Sequence, residues 1–240
     1  VSPDGEEGYP GNLAVAVAYT LAFNGLDIEY RARCDQDTVC SLTNHSYFNL
    51  SGHSSGPVTG QHIRLFSTHY TPVGPGSIPT GELAPVKGTP MDLWEEQEIG
   101  AHIDDPFEQL TMAGGFDHNW AVIHWDGFPR RAARVWSPDT GIMMDVATTL
   151  PGVQFYTGNF LEGCPPGKGG AVYGNRHGFC LETQFFPDSP NQPGFPSCVL
   201  KAGEEYRHKT VYRFDALDTG AEYRHKTAYQ FSTLDAGHGC

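Results

Sequence analysis

The stretch Ser41 to Leu50 alternates in a way that carries chemistry. Read as a strand, it sets Thr43, His45, Tyr47 and Asn49 on one face, with Leu42, Asn44, Ser46, Phe48 and Leu50 on the other. A row of hydrogen-bonding side chains headed by an imidazole suits a polar ligand in a cleft. Far downstream, Phe179 to Phe185 sets Glu182 and Gln184 against Phe179, Leu181 and Phe185. An imidazole and a carboxylate carried on two such strands are the components of a general acid/base pair.

The elements that must position these residues are strands. Leu13 to Phe23 and Leu26 to Arg33 flank Asn24-Gly25, a strong hairpin signal, and the second arm alternates Leu26, Ile28 and Tyr30 against Asp27, Glu29 and Arg31. Later runs, Gln61 to Phe66, Trp120 to Trp125, Ala132 to Trp136, Gly141 to Thr149, Val153 to Tyr156 and Val199 to Ala202, are punctuated by Gly, Pro, Asn and Asp. Helical periodicity is scarce, and only Met91 to Ile103 suggests a short helix. With 29 Gly and 18 Pro, the composition is that of strands and loops, so the expected fold class is all-β. Two long loops, Thr71 to Pro90 and Cys164 to Arg176, are expected either to order around a ligand or to move.

A chain of 240 residues is long enough for one sizeable all-β domain. Its net charge of -13 offers no basic surface to a phosphate backbone or an anionic bilayer, so nucleic acid and membrane are not expected partners. The longest apolar run, Leu13 to Phe23, is about half of the ~20 residues a spanning helix needs. Six irregularly spaced cysteines without a Cys-x-x-Cys pair read as free thiols in a reducing compartment. Asn44-His45-Ser46 and Asn49-Leu50-Ser51 match the N-glycosylation pattern, but a glycan there would cover the His45 strand, which favours a cytoplasmic protein.

Four ordered blocks then give a specific resemblance: Asn44 to Leu50, Gly115-Phe116-Asp117-His118-Asn119, Gly152 to Leu161 and Gly178 to Gln184. With Asp4 to Leu13 and Ile78 to Met91 in the same order, they resemble the successive signatures of the aldose 1-epimerases, or galactose mutarotases, from about Ser2 to Phe214. The resemblance implies a galactose-mutarotase-type β-sandwich, the supersandwich, over residues 1–214, with residues 215–240 as an atypical C-terminal extension. That extension holds a duplicated segment, since Gly203 to Thr219 aligns with Gly220 to Ala236. In the family, a substantial portion precedes the position of Ser2-Pro3 and supplies further strands, an arginine and a second histidine. The resemblance therefore implies an N-terminally truncated domain with an exposed sheet edge.

What the family does implies the chemistry expected here. Interconverting the α and β anomers of free aldohexoses such as galactose and glucose requires one proton delivered to the ring oxygen and another removed from the C1 hydroxyl. By similarity to the family's matching positions, Glu182 is the expected base and His45 the expected acid. Asp117, Gln154, Asn44 and Tyr47 are expected to bind sugar, and His118 and Asn119 are weaker candidates. No metal or cofactor is required, because only protons move. Each residue taken alone also has a structural use: His45 as a bonded histidine, Glu182 as a surface carboxylate on an edge strand, Asp117 as a turn former, Gln154 as a solvated strand residue. The alternative readings are a non-catalytic carbohydrate-binding protein, an inactive truncated homologue, or an epimerase of phosphorylated hexoses. The last would need a basic cluster that the matched segment lacks.

Overall fold

The computed structural model describes residues 1–217, so the second copy of the C-terminal repeat lies outside the described residues. The strands are β1 (Leu13–Ala22), β2 (Gly25–Cys34), β3 (Thr38–Val39), β4 (Tyr47–Phe48), β5 (His62–Leu65), β6 (His69–Thr71), β7 (Ala84–Pro85) and β8 (Gln97–Glu98). After helix α1 (Glu108–Ala113) come β9 (Asp117–Ala121), β10 (Arg130–Trp136), β11 (Ile142–Thr148), β12 (Gly152–Tyr156), β13 (Phe179–Gln184), β14 (Val199–Leu200) and β15 (Glu205–Ala216). They form a seven-stranded sheet in the order β1-β2-β15-β11-β10-β5-β8, a six-stranded sheet in the order β4-β13-β12-β9-β6-β7, and the small pair β14-β3. Every registered pair is antiparallel. The described residues thus form the all-β architecture expected above.

Alternation explains the layers. In β2, Ile28, Tyr30, Ala32 and Cys34 are buried while Asp27, Glu29, Arg31 and Arg33 face outward. In β15, Tyr206, Thr210 and Tyr212 point inward, and the outward Arg207, Lys209 and Arg213 pair with Glu29 and Asp27 across the ladder. The inward Tyr206, Thr210 and Tyr212 fix the register of the first repeat copy inside the larger sheet, and the ion pairs accompany it. The inner faces meet in one core containing Ile28, Tyr30, Val146, Trp120, Phe155, Phe179 and Tyr212. Burying each such side chain contributes roughly 1.5–3 kcal/mol. Farther along the sheet, Arg134 and Asp145 face each other across β10 and β11 in a buried bidentate pair with N···O distances of 2.8 and 2.7 Å, and Arg131 reaches the same carboxylate at 3.0 Å.

Three expectations require correction. The hairpin forms, but its register pairs Ala22 with Gly25, so the loop is Phe23-Asn24 and Gly25 is already in the ladder. Glycine is required there for a different reason: a Cβ would lie 2.2 Å from the Tyr212 carbonyl oxygen of the neighbouring strand. Met91 to Ile103 is not helical and holds only β8. Its Met91, Leu93, Ile99 and Ile103 enter the core from irregular backbone, held by Leu65 N donating to Leu93 O and by the Trp120 indole donating to Met91 O. Ser41 to Leu50 is not one strand, because only Tyr47–Phe48 pairs, with Phe179 and Cys180. At the outer margin, β1 carries Val15, Val17, Tyr19 and Leu21 exposed along one side.

Candidate active site

The irregular course of residues 41–46 has a physical cause in the tyrosines of the larger sheet. The Leu42 amide donates to the Tyr206 hydroxyl at 3.1 Å, and the Asn44 amide donates to the Tyr30 hydroxyl at 3.2 Å. The Tyr212 hydroxyl lies 3.0 Å from Asn44 Oδ1 and 3.1 Å from the Leu181 carbonyl. Side-chain hydroxyls thus take the place of a strand ladder. Asn44 spends its amide on this clamp and is not part of the cavity wall. Thr43 and Asn49 are also directed elsewhere, Thr43 with a buried hydroxyl and Asn49 bonded to the Gly56 and His177 carbonyls and to Gln61. Of the row proposed from the sequence, His45 and Tyr47 face the cavity.

Beside them in the same sheet, alternation in β12 and β13 sends Val153, Phe155, Phe179, Leu181 and Thr183 into the interior, and Gln154, Tyr156, Glu182 and Gln184 toward an open cavity of about 390 Å³. Asp117, at the start of β9, completes that wall. It follows a turn in which Gly115 is obligatory, since its φ is +146° and a Cβ would meet Asn159 Oδ1 at 2.5 Å. The strand register aligns the polar residues: Gln154 pairs with Glu182, and Tyr156 lies between Asp117 and Cys180. Gln154 donates to Asp117 Oδ1 at 2.8 Å, and Gln184 donates to Gln154 Oε1 at 3.4 Å. The amide chain fixes which oxygen of each group remains available to a ligand.

His45 Nε2 stands 3.3 Å from Glu182 Oε1, the imidazole side chain 52% exposed and the carboxylate 11%. The ring stacks on Tyr47 with centroids 5.0 Å apart and meets Tyr156 edge-on at 6.2 Å. Burial pushes the Glu182 carboxyl above its ordinary range; His45 opposes the shift and the neighbouring Asp117 adds to it. Burial likewise raises Asp117, against the Gln154 hydrogen bond and the His45 charge. A raised carboxyl is a stronger base than an exposed one, and an imidazole beside it is a proton donor within reach. Burial pushes the Tyr47 phenol up to about 12, so it stays a hydroxyl.

The structure therefore brings together His45, Tyr47, Asp117, Gln154 and Glu182, and leaves Asn44 behind them. His118 points away from the cavity into the core between Tyr70 and Trp120, where burial pulls it down to about 4 and keeps it neutral. Asn119 is buried with no amide partner. Sequence reasoning missed Tyr156 and Cys180 at the site. The signal was present, since each stands two residues from a chosen position, Gln154 or Glu182, on the same side of its strand.

Comparison with known proteins gives matches over most of the chain. The family model described as Aldose 1-epimerase matches residues 1–213. A human protein named galactose mutarotase is 49% identical over 216 residues, 89% of this chain and 61% of its own. An Escherichia coli K12 aldose 1-epimerase is 39% identical over 218 residues, 90% of this chain and 62% of its own. The chain thus spans about three fifths of the length of the curated relatives it matches. Among solved structures, an aldose epimerase homologue from C. elegans superposes with a TM-score of 0.79 at 26% identity, covering 90% of this chain and 64% of that one. Galactose 1-epimerase from Lactobacillus acidophilus NCFM gives a TM-score of 0.74 at 24% identity, over 89% and 60%, a likeness of fold.

Proposed function

The chain belongs to the aldose 1-epimerase family, and from that premise we propose that it interconverts the anomers of free aldohexoses, galactose and glucose among them, by acid/base opening and closure of the pyranose ring. The observation that carries this reading is the 3.3 Å contact of His45 Nε2 with Glu182 Oε1 at the wall of an open polar cavity. The C1 hydroxyl and the ring oxygen are bonded to one carbon, so an acid and a base that serve them must be neighbours. Glu182 takes the C1 hydroxyl proton while His45 delivers a proton to the ring oxygen. The ring bond breaks, and C1 becomes an aldehyde. Rotation about the C1–C2 bond presents the other face of the aldehyde. In closure Glu182 returns its proton and His45 recovers one, so no net proton is consumed. Each of these roles is typically worth ~10²–10⁴ in rate.

Asp117 and Gln154 orient the sugar, the carboxylate accepting from a hydroxyl and the amide using the N–H and lone pair left over from its bonds to Asp117 and Gln184, and Tyr47 offers a hydroxyl from the neighbouring strand β4. Among the described residues no lysine or arginine lines the cavity, which supports a neutral sugar over a phosphorylated one. The cytoplasm is the inferred location: the five described cysteines are free, and both asparagines of the glycosylation patterns spend their amides inside the fold. No helix among the described residues is long and apolar enough to cross a membrane.

Polarimetry on freshly dissolved α-D-glucose and α-D-galactose tests the proposal. Decay of rotation faster than the spontaneous rate, and proportional to protein concentration, is expected. Sugar binding without acceleration would convert the reading to that of a non-catalytic carbohydrate-binding protein.

A further inference from the structure

Anomer exchange uses the imidazole and carboxylate of the site and has no role for a thiol, yet one is there. Cys180 precedes Glu182 by two residues, so β13 delivers its sulfur to the same side of the sheet. The buried Sγ lies 3.3 Å from His45 Nδ1, while Nε2 of that ring lies 3.3 Å from Glu182 Oε1. One His45 nitrogen, Cys180 Sγ and a Glu182 oxygen all fall within 4.8 Å of one another.

We propose that His45, Cys180 and Glu182 form a three-ligand site for a thiophilic divalent cation of the Zn²⁺ class, filled in competition with sugar. Thiolate, imidazole and carboxylate are the donors such a cation takes, and three protein ligands leave its fourth position to water. Metal–ligand bonds of about 2.0–2.3 Å in a tetrahedron set neighbouring donors about 3.4–3.6 Å apart. The His45–Glu182 separation of 3.3 Å already matches, and side-chain rotation at His45 and Glu182 brings the remaining donors together from within 4.8 Å of one another. Cation binding is favoured by the surroundings, since Asp117 adds a second carboxylate and no lysine or arginine among the described residues lines the cavity.

Binding exchanges protons in a defined way. The Cys180 S–H bond breaks, its proton leaves to solvent, and the sulfur electron pair forms the metal bond; neutral His45 supplies a ring lone pair. Burial holds the free thiol well above the ordinary cysteine range, so the cation itself brings out the thiolate. Resting on the proposed function, the consequence is inhibition, because the cation occupies both the acid and the base.

The probe is Co²⁺ added to the full chain, which reports sulfur ligation through a charge-transfer absorption independent of turnover. Stoichiometric binding with that band and with tetrahedral visible bands is expected, displaced by Zn²⁺. Cys180→Ser removes the charge-transfer band, and it weakens Co²⁺ binding by at least the 10–100-fold that losing even an outer partner of a metal ligand costs. His45→Gln, a change at a half-exposed position that spares the core, weakens binding to the same extent. Cys164→Ser, which alters an exposed thiol, leaves the spectrum unchanged. A saturated complex without the sulfur band, a band that survives Cys180→Ser, undiminished affinity in His45→Gln, or a band lost in Cys164→Ser overturns the site. A chain that binds Co²⁺ in this way yet fails to accelerate anomer exchange retains the metal site and loses only the proposed reaction.

Discussion

Replacing Glu182 with glutamine separates catalysis from stability in opposite directions. The amide keeps the size of the side chain and can still bond His45 across the 3.3 Å contact, so the loss is confined to proton acceptance. Turnover should fall ~10²–10⁴-fold. At 1.36 kcal/mol per tenfold, that is about 2.7–5.5 kcal/mol of barrier. Stability moves the other way. Burial, with Asp117 nearby, holds the folded Glu182 above its ordinary value of 4.5, so the folded chain binds more protons than the unfolded one between those two values. The contribution is fully present below pH 4.5 and is lost as pH rises through the raised value. Glutamine cannot ionise and escapes that loss. Thermal melts should therefore place Glu182→Gln above the parent at neutral pH, with the difference closing near pH 4, while polarimetry shows the collapse in rate. Turnover retained within tenfold, or a variant less stable at neutral pH, would refute the assignment of Glu182 as a buried base.

Other perturbations test the surrounding design. Asp117→Asn removes the like charge that helps raise Glu182, so the acid limb of the rate profile should move to lower pH, while calorimetry should show weaker sugar binding. Tyr212→Phe leaves Asn44 and the Leu181 carbonyl without that hydroxyl and should cost about 1–3 kcal/mol in urea unfolding. Asp145→Asn takes the charged partner from buried Arg134 and should cost about 3–5 kcal/mol. Burial raises Asp145, but the hydrogen bonds and charges of Arg134 and Arg131 outweigh it and hold the carboxyl below 3.8, so the parent keeps this contribution above that pH and loses it as pH falls further, a loss the variant should not show.

What the sequence disclosed follows from where the information is local. Two-residue alternation in β2, β12 and β13 is a property of the chain itself, and it correctly sorted Ile28 from Asp27 and Leu181 from Glu182. The Ser41 to Leu50 row failed because its backbone bonds to Tyr30, Tyr206 and Tyr212, far away in the chain, and no local pattern can announce such partners. Met91 to Ile103 offered apolar spacing that suited a helix, yet the same side chains fill the core from irregular backbone once Leu65 and Trp120 supply the hydrogen bonds. Gly25 was noticed for turn chemistry and is needed for close packing against β15. The strand pattern offered His45 and Glu182 as an acid/base pair, and the family resemblance assigned which is acid and which is base. The approach of Cys180 to that histidine could be had only from the fold, which alone determines that β4 lies beside β13.

The hydroxyl of Tyr212 belongs to one sheet, while the two groups it touches, Asn44 and the Leu181 carbonyl, immediately precede His45 and Glu182, the proposed acid and base, on the other side of the interface. The spacing of the proton donor and acceptor is thereby slaved to the gap between the layers of the sandwich. Warming that widens this gap slackens the pair while every strand is still in its ladder. The reaction should accordingly fade at temperatures where circular dichroism still reads an intact protein, because the machinery senses the breathing of the core before the backbone does.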